Sequence, residues 1–318
     1  MKIDFHTHLF PLPFLKEIER RNLAFGMGGE SFTVFESMYD PIVRFRDMEE
    51  YGVDMQVLSV GPPGVELEGA SSEVNALLAR IANDEIARLV AGYPERFLGL
   101  ASLPLRAPEE AVGELERAVK SLGLKGAIIF SNVDGKMLDS PDLEPLFAKA
   151  VELDVPLFIH PTTPVFKEWV RDYGLTIMVG LLFDSTLALC RLIFSGLLER
   201  YPTLKLIVAH LGSTLPYIEG RLDVESGLLG KFVPGYRLGI PKPPSEYVKR
   251  IYMDTVSHHR PAYMCAYASS GADKILLGSD YPYSRWQRTV QAVEELPIPE
   301  ADKEKIFYQN VRNLLKLA

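Results

Sequence analysis

The sequence predicts an α/β fold: a (β/α)8 TIM barrel with insertions after strands one and six. Three observations predict it. Eight short β-rich runs alternate with longer amphipathic stretches. The 318 residues suit one barrel of about 250 residues with elaborated loops. Histidines collect at the ends of the runs, where barrel enzymes keep their chemistry.

The expected strands are Lys2–His8, Met55–Val60, Phe97–Leu103, Gly126–Phe130, Pro156–His160, Lys205–His210, Ile251–Thr255 and Lys274–Asp280. Between them lie helical patterns at Ser72–Tyr93, Pro108–Leu122, Pro141–Leu153, Leu187–Tyr201 and Pro261–Ser270, with Asp302–Leu317 as the closing helix. Ala107-Pro108-Glu109-Glu110 and Ser140-Pro141-Asp142 place proline and acids in a first helical turn. Strands alternating with helices imply βαβ units and a parallel sheet, and eight of them favour closure over an open doubly wound sheet. Residues 1–318 are expected to form one domain, because there is no repeat, low-complexity tract or linker.

Two segments fit neither pattern. Pro11–Asp40 follows strand one and includes Phe25-Gly26-Met27-Gly28-Gly29. The stretch from about Val224 to Tyr247 follows strand six and is broken by Pro234, Pro241, Pro243 and Pro244. Loops this long are usually functional. Both leave the C-terminal end of a strand, so they should wall the active-site face.

Composition narrows the function. A net charge of −8 offers no basic footprint for nucleic acid. No apolar run is expected to reach the roughly 18 residues that span a bilayer. The opening MKIDFHTHLF carries ionisable groups where a signal peptide needs an apolar run. A cytosolic chain with neither nucleic-acid nor membrane partners is expected. Cys190 and Cys265 are read as reduced, buried thiols, since neither sits in a CxxC or beside a histidine.

Of the six histidines, His6, His8, His160 and His210 fall at predicted strand ends. Those ends make up about 6–7% of the chain at typical strand lengths, so chance would put fewer than one there. Asp280 ends strand eight in the same way, and Asp254 lies at the end of strand seven. Residues i and i+2 of a strand share a side, so His6 and His8 should face the barrel mouth. Ile3, Phe5 and Leu9, of the other parity, should pack against helices. Asp4 shares the inward parity.

A carboxylate and several imidazoles in a barrel mouth carry a large desolvation cost unless a cation compensates it. His6, His8, His160 and Asp280 are therefore expected to hold one divalent metal. Nitrogen and oxygen donors without thiolate suit Zn²⁺ first, then Mn²⁺, Fe²⁺ or Co²⁺. His210, just outside that set, is placed to give or accept a proton, and Asp280 combines ligation with a catalytic hydrogen bond. The run Gly126–Phe130 ends without a lysine or carboxylate to bridge a second ion, so one metal is expected.

Alternating with Val43 and Phe45, one of Arg44 and Arg46 could reach the mouth, but pairing with Asp47 or Glu49 on a helix surface is the expectation. His258 is a candidate for the substrate pocket, whereas His259 reads as surface. Tyr281, Tyr283 and Trp286 read either as an aromatic wall beside the site or as core packing, and so do Phe10 and Phe14.

These residues resemble the amidohydrolase superfamily, and within it the branch around α-amino-β-carboxymuconate-ε-semialdehyde decarboxylase. The resemblance runs through Met1–Leu9, Asp40-Pro41 to Val53, Tyr93–Leu100, Phe158–Pro161, Ala209–Gly212 and Leu277–Pro282. It implies His6, His8, His160 and Asp280 as zinc ligands and His210 as the catalytic acid/base. It also implies non-oxidative decarboxylation of a small unsaturated or aromatic carboxylic acid. Some relatives in that branch hydrolyse lactones or hydrate double bonds, so metal-dependent hydrolysis of a lactone, ester or amide is the alternative. Arg221 falls where the branch presents an arginine to the substrate carboxylate across a homodimer interface; a solvated helix arginine is the other reading. Two departures stand out. Ser31-Phe32-Thr33-Val34-Phe35 lacks the branch's second substrate arginine, and Leu175–Gly180 lacks its tryptophan. The metal site is expected to carry over, and the substrate is not.

Overall fold

The structure, a computed structural model, describes residues 1–27, 30–284 and 286–317. All eight expected strands form: β1 Ile3–His8, β2 Met55–Ser59, β3 Phe97–Gly99 with Ala101–Ser102, and β4 Ala127–Phe130. β5 is Leu157–His160, β6 Leu206–Val208, β7 Tyr252–Asp254 and β8 Ile275–Leu276. Each pairs in parallel with the next. β3 changes neighbours at Leu100, whose N–H donates to Leu58 at 2.9 Å while Ala101 N–H donates to Gly126 at 2.8 Å. The ring closes between β8 and β1 through Phe5 N–H to Leu277 O at 2.8 Å, Asp280 N–H to His6 O at 2.8 Å and His8 N–H to Tyr281 O at 2.7 Å.

The hydrophobic core divides as a barrel requires. Ile3, Phe5, Val57, Leu100, Ile128, Phe158, Ile207 and Leu276 form one cluster drawn from strands on opposite sides of the ring. Phe5 on β1 meets Phe158 on β5 edge-on at 5.3 Å, a contact only the barrel interior can make. Val311, Leu314 and Leu315 of the last helix join this cluster, so they close the floor. The residues of opposite parity, such as Leu58, Ile129, Ile159 and Val208, pack with the helices.

This division corrects the expected parity of β1. Ile3 and Phe5 point into the barrel, not toward the helices. The pairing of β1 with β2 advances three residues on one strand against two on the other between Asp4 and Thr7, a β-bulge. The surplus residue resets the alternation, so Phe5 and His6 both reach Phe158, at 5.3 and 4.9 Å. Above the bulge, His6 and His8 point inward and Thr7 points out, its hydroxyl donating to Val57 O at 2.9 Å.

Other boundaries move as well. The helix expected from Leu187 begins at Leu181 and follows shorter helical turns back to Asp172. Asp172–Phe194 is thus a 23-residue helical stretch whose most apolar 18-residue window has mean hydropathy 1.9 and is half buried, long and apolar enough by composition to span a bilayer. The expectation that no run reaches that length fails because this helix is apolar on both faces, with Phe183 and Leu187 outward and Leu189 and Leu192 inward. The first insertion carries its own helix, Leu12–Arg20, and a small hairpin. The second starts as helix, since Leu215–Phe232 runs well past Val224.

Candidate metal centre

His6 and His8 end β1 and His160 ends β5; Asp280 and His210 follow β8 and β6. Their side chains meet at the barrel mouth. His6 Nε2 lies 3.0 Å from His8 Nε2, and Asp280 Oδ1 lies 3.2 and 3.1 Å from those two nitrogens. The His160 ring centre is 5.0 Å from that of His6 and 4.9 Å from that of His8. His210 Nε2 lies 3.8 Å from Asp280 Oδ2. One donor atom from each of His6, His160, His210 and Asp280 falls within 4.8 Å of the others. His210 is thus drawn closer to the donor set than the sequence reading placed it.

The remote nitrogen of each inner imidazole is occupied. His6 Nδ1 meets Asp254 Oδ2 at 2.6 Å. His8 Nδ1 meets Ser59 Oγ at 3.2 Å, and that hydroxyl spends its own proton on Thr7 O at 2.9 Å, so it must accept from His8. His160 Nδ1–H reaches Pro161 O at 2.8 Å. With Nδ1 protonated in each ring, every Nε2 lone pair faces the same small volume. His160 Nε2 is buried with no hydrogen-bond partner, a cost that a cation would remove. Imidazole and carboxylate donors suit one divalent metal.

Electrostatics agree. Burial pushes the His6 imidazole down, but the Asp280 and Asp254 carboxylates outweigh it and raise its pKa to about 10. Burial, aided by positive neighbours, lowers His8 to about 4 and His160 well below the usual imidazole range. Burial pushes Asp280 up, but His6 and hydrogen bonds from the surrounding rings hold it well below the usual carboxylate range. Without a metal, His6 therefore favours its doubly protonated form beside an ionised Asp280 carboxylate.

Backbone features make this convergence possible. A Cβ on Gly61 would lie 2.6 Å from the His8 ring, and one on Gly278 would lie 2.7 Å from Asp254 Cβ and 2.8 Å from His6 Cβ. Asp280 has φ 63°, and His210, Leu211, Gly212 and Ser213 run at 56°, 56°, 72° and 61°. Left-handed backbone costs non-glycine residues roughly 1–2 kcal/mol each, so something must hold this turn. Asp254 does: its Oδ2 accepts His210 N–H at 3.1 Å, and its Oδ1 accepts Leu211 N–H at 3.0 Å and Val256 N–H at 2.9 Å. Asp4 braces the opposite side by accepting Ser279 N–H at 3.0 Å and Ser279 Oγ–H at 2.5 Å.

Arg44 departs from expectation. It is fully buried behind the site, where burial lowers its pKa to about 10. It donates to His8 O at 2.7 Å, Ser37 O at 3.0 Å and Gln56 Oε1 at 2.9 Å, and stacks on Tyr281 at 4.7 Å. Arg46 is the surface member, 3.7 Å from Asp47. The spacing of Arg44 from Met48, both on the buried face of one helix, was the available signal.

The peripheral candidates divide. Phe10, Phe14 and Tyr281 are core residues, and the Tyr281 hydroxyl donates to Asp47 at 2.8 Å. Tyr283 is partly exposed with its ring 5.9 Å from His8, beside the site. The Trp286 side chain lies outside the described residues. His258 and His259 are exposed on the loop after β7. Arg221 is exposed on the helix Leu215–Phe232, 3.6 Å from Glu225. Cys190 and Cys265 are free and only partly buried.

Comparison with known proteins gives the lineage. Residues 3–317 match the family model described as Amidohydrolase. The chain is 34% identical to the 2-amino-3-carboxymuconate-6-semialdehyde decarboxylase of Dictyostelium discoideum, over 100% of this chain and 92% of that protein. It is similar in structure to 5-carboxyvanillate decarboxylase from Sphingomonas paucimobilis, with TM-score 0.91 and 28% identity over 100% of this chain and 99% of that one. It is also similar to a dihydroxybenzoic acid decarboxylase from Polaromonas sp. solved with manganese and 2-nitroresorcinol, with TM-score 0.84 and 29% identity over 99% and 97% of the two chains. The chain belongs to the amidohydrolase family and is an enzyme of its decarboxylase branch.

Proposed function

We propose that the protein is a divalent-metal-dependent, non-oxidative decarboxylase of a small aromatic or unsaturated carboxylic acid. The observation that carries the reading is the set of three imidazoles, each with its far nitrogen tied and its near nitrogen turned toward Asp280. His6, His8, His160 and Asp280 would hold the ion. When bound, it supplies Lewis-acid polarisation of a substrate oxygen next to the carboxylate. Manganese in the Polaromonas relative puts Mn²⁺ ahead of Zn²⁺ as the ion to test.

The residues of the chain would do the rest. The bond between the carboxyl group and its carbon breaks, its electron pair stays on that carbon, and CO₂ departs. A proton must then reach the same carbon. His210, facing Asp280 across 3.8 Å, is positioned to hold and deliver it. Tyr283 offers an aromatic face to a ring, and His258 would approach from the exposed loop after β7.

The residues 1–318 would act as one barrel domain, working in the cytosol as a homodimer. Trp169, Tyr173, Ile177, Met178 and Phe183 present a large apolar exterior that a second copy could cover. Arg221 would serve the substrate carboxylate of the second copy. Sedimentation giving only monomer at assay concentrations would remove the dimer and that role.

The deciding experiment follows CO₂ release from hydroxylated benzoates and unsaturated acids by Mn²⁺-loaded enzyme, with lactones and esters in parallel. Turnover of a lactone with no CO₂ from any acid would replace this reading by hydrolysis. His210→Asn should lower turnover by about 10²–10⁴-fold while leaving the ion bound.

A further inference from the structure

Asp254 touches neither the position a metal would take nor any exposed surface. It is a fully buried carboxylate at the end of β7. Its partners nevertheless belong to two different parts of the machinery. One is the ring of His6, at 2.6 Å. The others are the amides of His210 and Leu211, at 3.1 and 3.0 Å, which open the left-handed run, together with Val256 N–H at 2.9 Å. All four groups donate, and only an ionised carboxylate accepts from four donors at once.

We propose that Asp254 is a positioning residue that makes seating of the metal by His6 and presentation of His210 one coupled event. The inference rests on the metal-site reading above. An ion held by His6 would fix the position of that ring, and through its Nδ1–H the position of the carboxylate. The pinned carboxylate holds His210 and Leu211 in a conformation that side-chain-bearing residues otherwise leave. The acid/base group would therefore be held more firmly with the ion in place than without it.

Asp254→Asn tests this because an amide keeps the shape and loses half the acceptors. If the amide oxygen faces His6 and His210, the NH₂ opposes the Leu211 and Val256 amides, donor against donor. If it is flipped, the NH₂ faces His6 Nδ1, drives the ring proton to Nε2 and blocks ligation. Both orientations break one arm.

The experiment measures Mn²⁺ affinity by electron paramagnetic resonance, and amide exchange at His210 and Leu211 in stripped and Mn²⁺-loaded protein. In the wild type, loading should slow exchange at those two amides by about tenfold or more, with Ile207 and Val208 within about twofold. Asp254→Asn should bind Mn²⁺ about 10–100-fold more weakly, with both amides exchanging fast whether or not the ion is present. A variant that binds Mn²⁺ like the wild type, or protects the two amides like it, overturns the coupling. If the variant does not fold, the wild-type comparison decides: equal exchange in the stripped and loaded states overturns it. A wild type that binds Mn²⁺ while the amides stay unchanged sinks this inference alone. A wild type that binds no Mn²⁺ sinks the metal reading with it.

Discussion

Replacing Gly278 by alanine should disable the metal centre without touching a ligand. The new methyl carbon would sit 2.7 Å from Asp254 Cβ and 2.8 Å from His6 Cβ. Carbons rest at about 3.5–4.0 Å, so the neighbours must give way by roughly 0.7 Å or more. Neither can do so freely. His6 is tied to Asp254 across 2.6 Å, and Gly278 is itself held by Thr255, whose hydroxyl accepts its N–H at 2.9 Å and donates to its C=O at 3.0 Å. Overpacking of this kind costs about 1–3 kcal/mol in stability. Metal–ligand distances tolerate only about 0.2 Å, so the displacement should weaken Mn²⁺ binding by about 10–100-fold. Calorimetric titration and a thermal melt read both effects. Gly113→Ala is the control: its site on the helix Pro108–Lys120 is exposed with open space around it, so it should gain about 0.5–1 kcal/mol and leave the ion alone. Gly278→Ala binding Mn²⁺ within about threefold of wild type would refute the close-approach reasoning.

Metal binding should be coupled to proton loss with a defined sign. His6, raised to about 10, must shed its proton to ligate, whereas His8, lowered to about 4, is already neutral. Mn²⁺ affinity should therefore rise about tenfold per pH unit between roughly pH 6 and 9, with one proton released; calorimetry in buffers of different ionisation heat counts it. A flat affinity over that window would mean that His6 carries no such proton. Ser59→Ala removes the acceptor that fixes the His8 tautomer and should weaken Mn²⁺ binding by about tenfold, read by equilibrium dialysis with unaltered far-ultraviolet circular dichroism. Arg44→Met leaves three acceptors unmet, two of them buried, and should cost about 2–4 kcal/mol in urea unfolding, whereas Arg46→Met should change stability by under about 0.5 kcal/mol.

The elements most legible in the sequence were those governed by local chemistry. Eight strands and the pairing of imidazoles with strand ends follow from short-range pattern, and the five residues at the mouth were all named from it. What stayed hidden depends on contacts distant in sequence. Asp254 was visible at the end of β7, yet its role is set by His6, some 248 positions away, and by the backbone of a turn on β6. The left-handed run at His210 leaves little local trace, since only Gly212 in it is a residue that favours such φ values. Arg44 looked like a surface residue because charge usually means exposure, but the carbonyls of His8 and Ser37 give it a buried place. The Asp172–Phe194 helix was read as starting late because its short turns blur the helical period ahead of Leu181.

The surplus residue in β1 has a consequence for how this barrel can change. On a regular strand, every side chain's direction is chained to every other, so altering the floor would threaten the mouth. Here the chain of dependence is cut between Asp4 and Thr7. Ile3 and Phe5 answer to the hydrophobic floor, and His6 and His8 to the chemistry above it. Deleting Phe5 at the cut would restore plain alternation, with Asp4 out, His6 in, Thr7 out and His8 in, so the floor would lose one ring while both imidazoles kept facing the mouth.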